Sequence, residues 1–242
     1  MTDAKPPIVE IRELRKTFLS GENRISPLDG INLDIAEGEF LAIMGPSGSG
    51  KTTLMNIIAG IDRPSSGTVR VAGVSLGQLS DARLSRWRNR NVGYVFQQFN
   101  LMPVLNALEN VELPLLLSPL KHKLRKRQAT IALTAVGLED RMHHFPRQLS
   151  GGQQQRVAIA RAIVTDPRIL VCDEPTGNLD RESEEDVLDI LTQLNQRFGK
   201  TIILVTHDPH AAARARRHIT LDKGVFSEAP TQPVKSTAEQ AA

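Results

Sequence analysis

A chain of 242 residues, 40% apolar and 24% charged, can bury one large core and has an ordinary globular composition. Its formal net charge of +3 is small for this length and argues for neither nucleic acid nor lipid headgroups as a partner. One cysteine excludes an internal disulfide and a multi-cysteine metal site, and no unbroken apolar run of about 18 residues occurs to suggest a membrane-spanning helix.

The start, MTDAKPPIVE, has no apolar signal region, so the chain is expected to be soluble. Residues 8–12 read as a short strand. EFLAIMG (39–45) is an apolar run ending in Gly. After it, Leu54, Ile57, Ile58 and Ile61 follow the i, i+3, i+4, i+7 spacing of an amphipathic helix. Residues 69–74 read as another strand. NVGYVF (91–96), RILVCDE (168–174) and TIILVTH (201–207) resemble EFLAIMG, and all four read as buried parallel strands.

Residues 98–165 carry helix and loop patterns and no strong strand, as an inserted helical lobe would. Their most apolar stretch, LNALENVELPLLLSPL, is interrupted by Glu109, Glu112, Pro114 and Pro119. KHKLRKRQ (121–128) reads as a solvated helix face. Cys172 reads as a small buried hydrophobe. Val187, Ile190, Leu191, Leu194 and Phe198 mark a further helix. Asp180 can cap it, and Glu182, Glu184 and Glu185 favour its positive dipole end. The expected organisation is an α/β core in one domain over 1–226, a helical subdomain at about 98–165, and a disordered tail over 227–242. No internal repeat is found.

Two Gly-rich stretches carry the chemistry. GPSGSGKT (45–52) fits G-x-x-x-x-G-K-[ST] between a strand and a helix. There the glycines let the backbone wrap phosphates, helix-start N–H groups point at them, Lys51 adds a point charge, and Thr52 offers a hydroxyl to Mg²⁺. Asp173 and Glu174 end an apolar strand, where ligands of parallel sheets bind. Asp173 is expected to hold Mg²⁺ through water, and Glu174 to polarise an attacking water. His207 and Gln97 end two other strands and should face the same crevice. LSGGQ (149–153) opens a second helix and forms another anion cradle from Ser150 and the N–H groups of Gly151 and Gly152.

In this order the motifs resemble the ATPase subunits of ABC transporters, over about residues 8–226. The resemblance implies a RecA-like P-loop NTPase core of mainly parallel sheet, with an antiparallel β-subdomain and an inserted helical subdomain. Gly45, Pro46, Ser47, Gly48, Ser49, Gly50, Lys51, Thr52 and Thr53 would hold ATP. Asp173 would serve Mg²⁺ with Thr52 and Gln97, the last at the family's Q-loop. Glu174, His207, Gln97 and Lys51 would be catalytic. Phe18, in LRKTF, matches the aromatic that stacks on adenine. Leu149, Ser150, Gly151, Gly152 and Gln153 would form the signature, and Asp180 closes the D-loop. In the family two subunits pack head to tail, so the signature serves the partner's nucleotide, in a homodimer or pseudo-symmetric pair.

VGYVFQQFNLMPVLNALENVELPLLL and DEPTGNLD look like the lipoprotein-releasing and macrolide-export branch. That branch implies a separate inner-membrane permease with few spans and a large periplasmic part, and a peripheral place on the cytoplasmic face. Phe99, Leu101, Met102, Pro103 and Leu105 are expected to dock it. A nucleic-acid-directed ABC-type ATPase would carry coiled coils, zinc cysteines or a second module; no nucleic-acid partner is expected. A P-loop kinase or GTPase would leave LSGGQ and His207 unexplained.

Overall fold

The computed structural model describes residues 6–21 and 23–228. In chain order the elements are β1 (Val9–Ser20), β2 (Asn23–Ile35), β3 (Phe40–Met44), α1 (Lys51–Ile58), β4 (Ser66–Val71), β5 (Val74–Ser75), α2 (Asp81–Asn91), β6 (Val92–Val95), α3 (Ala107–Glu112), α4 (His122–Ala135), α5 (Gly151–Ile163), β7 (Ile169–Asp173), α6 (Arg181–Phe198), β8 (Thr201–Val205), α7 (Pro209–Ala212), β9 (Arg217–Asp222) and β10 (Val225–Glu228).

The central sheet runs β10-β9-β3-β8-β7-β6, parallel throughout except for the β10–β9 pair. Its inner strands are apolar on both faces because both faces are covered. Alternation along the strands sorts them. Phe40, Ala42, Leu170, Cys172, Ile202 and Leu204 join the core shared with α3–α6. Leu41, Ile43, Ile169, Val171, Ile203 and Val205 join the core shared with α1 and the second sheet. That second sheet, β2-β1-β4-β5, is antiparallel. Between β6 and β7 the described chain is helix and loop only.

Several expectations shift. The 91–96 strand begins at Val92, because Asn91 still closes α2. The α1 helix stops at Ile58, and Gly60 follows at φ 68, so Ile61 lies outside it and is exposed. Phe198 closes α6 but is exposed, while Val187, Leu191 and Leu194 are buried as expected. Asp180 does cap α6, accepting the Ser183 N–H at 2.9 Å, and Gly199 ends the helix in the left-handed region. Ser227 and Glu228, expected in the tail, extend β10 by pairing with Thr220 and Ile219; the tail beyond them lies outside the described residues. Cys172 is buried, and burial raises its thiol pKa above the ordinary range, so it is an inert core residue.

Candidate functional site

The loop after β3 returns sharply into α1. A Cβ on Gly50 would lie 2.3 Å from the Pro27 carbonyl oxygen, and one on Gly45 2.1 Å from that of Leu221, so both positions require glycine. Gly48, at φ 77, has open space around it. Pro46, Ser47 and Gly48 form the exposed arch, whereas Ser49, Gly50 and Lys51 are buried beneath it. Lys51 Nζ donates to the carbonyls of Gly45 and Pro46, each at 2.8 Å.

Unlike α3, α5 and α6, this helix has no side-chain cap, and its first turn holds no acid. Its positive end and the amides of Thr52 and Thr53 are left for another anion. Ser49 Oγ is buried with no hydrogen-bond partner. An orphaned hydroxyl, an uncapped helix start and a buried ammonium fit a phosphate group.

Because β3, β6, β7 and β8 are parallel, their carboxyl ends share one edge. Thr52 stands beside Asp173 across it, its hydroxyl favouring the charged carboxylate. Burial, with the neighbouring Glu174 charge, lifts the Asp173 carboxyl above its usual range against the pull of Thr52 and Lys51. Among the described residues no group of three or more His, Cys, Asp or Glu could cage a metal. One hydroxyl beside one carboxylate instead suits Mg²⁺, which completes its shell with water and substrate phosphate.

Glu174 follows at φ 47, a strained region for a non-glycine residue, and its N–H is held by the Val205 carbonyl at 2.9 Å. Its carboxylate lies 3.3 Å from His207 Nδ1, at the end of β8. The turn after His207 is clasped to α6. His210 Nε2 lies 2.5 Å from Glu185, which also pairs with Arg214, and Arg214 reaches Asp189 at 2.7 Å.

Gln97 is exposed beyond β6. Its side-chain amide and the Glu174 carbonyl both abut Gly177, while its own carbonyl accepts Asn178 Nδ2 at 3.2 Å. Phe18 is 42% exposed, so it is not a core residue, and Lys16 Nζ sits 4.8 Å from its ring centroid. Its register partner, Ile25, is on the strand that brings Pro27 against Gly50.

The second cradle is built differently. Leu149 is buried. Ser150 caps α5 reciprocally with Gln153, at 3.2 Å and 3.0 Å. Gly151 packs near Leu179, Asn178 and Phe99, and a Cβ on Gly152 would lie 2.4 Å from Ser183 Oγ. No hydrogen bond or ion pair joins residues 149–153 to 45–53 among the described residues.

Sequence reasoning missed Gln155, which is fully buried on α5 and donates to the carbonyls of Phe96, at 3.2 Å, and Pro175, at 2.6 Å. It ties the exits of β6 and β7 together. The available signal was a polar residue on an apolar helical stripe with Gly152, Ala158, Ile159 and Ala162. Arg161 was missed too. It donates to Asn100 and Phe99 carbonyls at 2.5 Å and 2.9 Å, holding the loop after Gln97 where Asn100 sits at φ 50.

The family model described as ABC transporter matches residues 28–177. An uncharacterized ABC transporter ATP-binding protein of Bacillus subtilis, YknY, is 48% identical over 90% of this chain and 94% of its own length. A macrolide export ATP-binding/permease protein, MacB, of Hyphomonas neptunium is 44% identical over 90% of this chain but only 34% of that protein. A solved ATP-binding cassette, in a dimeric post-hydrolysis state bound to ADP and Pi, superimposes with a TM-score of 0.84 at 44% identity, covering 91% of this chain and 98% of that one. A second dimeric structure, of a bacterial ABC transporter cassette, matches equally.

Proposed function

The chain belongs to the ABC transporter family, as an ATP-binding subunit, and we propose that it hydrolyses ATP as a head-to-tail dimer to drive a separate inner-membrane permease. The work is export, lipoprotein release or force transmission across the membrane. One observation carries the reading: the uncapped phosphate loop, the Thr52–Asp173 pair and the Glu174–His207 contact share one sheet edge.

Lys51, now turned onto two loop carbonyls, is placed to move its charge to the outer phosphates of ATP. Mg²⁺, bound by Thr52, Asp173 and Gln97, would offset phosphate charge. Glu174 orients the attacking water and accepts its proton, and His207 holds the Glu174 carboxylate and the departing phosphate. The exposed Phe18 ring offers a flat face to adenine.

Ser150 and the first α5 amides are proposed to serve the partner's ATP. Two facts support this: the relation to dimeric cassettes, and the lack of a bond from the signature to its own phosphate loop among the described residues. A separate permease accords with the ATP-binding relatives that match over nearly their whole length. The peripheral place on the cytoplasmic face follows from that partner; no helix among the described residues is long and apolar enough to cross a membrane.

Glu174→Gln tests the assignment. It should keep ATP binding, trap the dimer, and slow hydrolysis by ~10²–10⁴. Steady-state turnover near the parent rate removes Glu174 from this role.

A further inference from the structure

The formal charge of +3 hides a strong polarity. Residues 82–108 and 113–138 together hold nine of the chain's 30 Lys and Arg and none of its 27 Asp and Glu, so the remainder is net acidic. Folding pools the two stretches. Arg90, in α2, lines one cleft with Leu117, Pro119, Leu120 and Gln128.

Around that cleft α2 exposes Arg83, Arg86 and Arg90. The start of α4 exposes Lys121, Lys123, Lys126 and Arg127. None of these seven has an ion-pair partner among the described residues. The nearby acids are engaged elsewhere: Glu112 with Arg125 at 3.0 Å, Asp166 with Lys200 at 2.5 Å, and Asp81 with Arg63 at 2.8 Å.

Apolar side chains stand among the cations. Leu116, Leu117 and Leu124 are 55%, 74% and 47% exposed. Among the described residues the exposed large aromatics are Phe18, Phe145 and Phe198, outside these stretches; Trp87, Tyr94, Phe96 and Phe99 lie within them but are half-buried, Tyr94 and Phe96 in the wall of a cleft with Leu117. Single-stranded nucleic acid needs aromatic platforms for its bases, whereas cations interleaved with leucines suit a lipid headgroup layer over acyl chains.

We propose that this face of the helical lobe rests on an anionic lipid surface. Lys121, Lys123, Lys126, Arg127 and the α2 arginines meet lipid phosphates, and Leu116, Leu117 and Leu124 enter the acyl boundary. The inference stands on the chain's own surface and needs no permease, so a failed permease assignment leaves it intact, and the reverse holds.

The test is flotation of the full chain with vesicles of phosphatidylcholine alone, and of equal parts phosphatidylcholine and phosphatidylglycerol, at low and high salt. Binding is expected only to the anionic vesicles and should weaken with salt. Each basic residue near such a surface adds roughly fivefold in affinity, about 1 kcal/mol. Replacing Lys121, Lys123, Lys126 and Arg127 together with alanine should therefore lower partitioning by roughly a hundredfold or more. Leu124→Ser should weaken binding while leaving its salt dependence unchanged. Thermal melting and ATP titration report that both variants are folded. Absence of flotation with anionic vesicles, or equal flotation of the quadruple variant, overturns the proposal. Salt-sensitive capture of a single-stranded oligonucleotide without vesicle binding would assign the patch to nucleic acid and overturn it as well.

Discussion

Three glycines of one loop make different demands. Gly50 and Gly45 are forced by backbone carbonyls within 2.3 Å and 2.1 Å of a would-be Cβ, whereas Gly48 is constrained only by φ 77. Gly50→Ala should therefore cost roughly 2–4 kcal/mol, overpacking added to strain. Gly48→Ala should cost about 1 kcal/mol, from the left-handed backbone alone, yet weaken ATP binding, because it adds bulk and stiffness to the exposed arch proposed to wrap the phosphates. Chemical denaturation beside ATP titration separates the two; equal stability losses would contradict the contact geometry. Asp173 makes a second prediction. Its folded carboxyl pKa lies above the ordinary value, chiefly through burial, so the folded state binds the proton more tightly than the unfolded chain. Stability then falls as pH rises through the window between the two values. Nucleotide-free Asp173→Asn should melt higher than the parent at neutral pH, and the gap should close as pH falls below the carboxylate range. A gap independent of pH would assign the effect to the Thr52 contact rather than to charge. That Asp173, Glu174 and His207 gather at one sheet edge was legible because apolar runs end at them. Gln155 was not, because its carbonyl partners lie 59 and 20 residues away and only folding brings them to it.

Among the elements, the loop from Met102 to Leu105 shows what a pattern cannot rank. Pro103 and the cluster of apolar residues suggested an exposed docking surface, and Met102 and Val104 are 48% and 73% exposed. Leu105 is half-buried, however, and Val104 takes the outer position that spacing alone did not single out. The loop is braced from within. Buried Asn110 accepts the Met102 N–H at 2.8 Å and donates to the carbonyls of Met102, Leu105 and Asn106. A separate cleft of about 260 Å³ is lined by Arg88, Tyr94, Phe96, Pro114, Leu117 and Arg161, and none of the loop residues Met102 to Leu105 lines it. Met102→Glu or Val104→Glu should leave folding and ATP binding intact and abolish pull-down of the permease. Asn110→Ala should cost about 1–3 kcal/mol, since it strands several buried backbone groups. Retention of the permease by a folded Val104→Glu chain moves the docking surface elsewhere on the helical lobe. The antiparallel sheet was expected only through resemblance: β2 mixes Pro27, Gly30 and alternating polar residues, and its register with β1 shifts three times, so no clean period survives. The end of α1 was readable in Gly60 but was overridden by the apolar Ile61.

At the scale of the whole molecule, the parallel core was readable because buried strands are uninterrupted apolar runs; the order β10-β9-β3-β8-β7-β6 was not, since spacing carries no adjacency. The shared-site proposal is also tested at this scale. Gly152 makes a poor trans lesion, because any Cβ there meets Ser183 of its own chain. Ser150→Asp is better: aspartate still caps α5 while setting a carboxylate against phosphate. In a mixed dimer with Lys51→Ala on one chain and Ser150→Asp on the other, one site carries both lesions and the other carries neither. Nucleotide titration should find one competent site; two equally impaired sites would refute the trans arrangement.

The double hold of Gln155 has a kinematic consequence. The 13-residue α5 helix is a rod of about 20 Å, and Gln155 sits nearer its Ser150 end than its Ile163 end. Any tilt that preserves the bonds to Phe96 and Pro175 must pivot there. The arms about that fulcrum are about 7.5 Å and 12 Å, so the Ser150 tip travels roughly 0.6 as far as the opposite end and in the opposite sense. The lever gears motion down: swings at the Ile163 end reach the Ser150 cradle as smaller, steadier displacements.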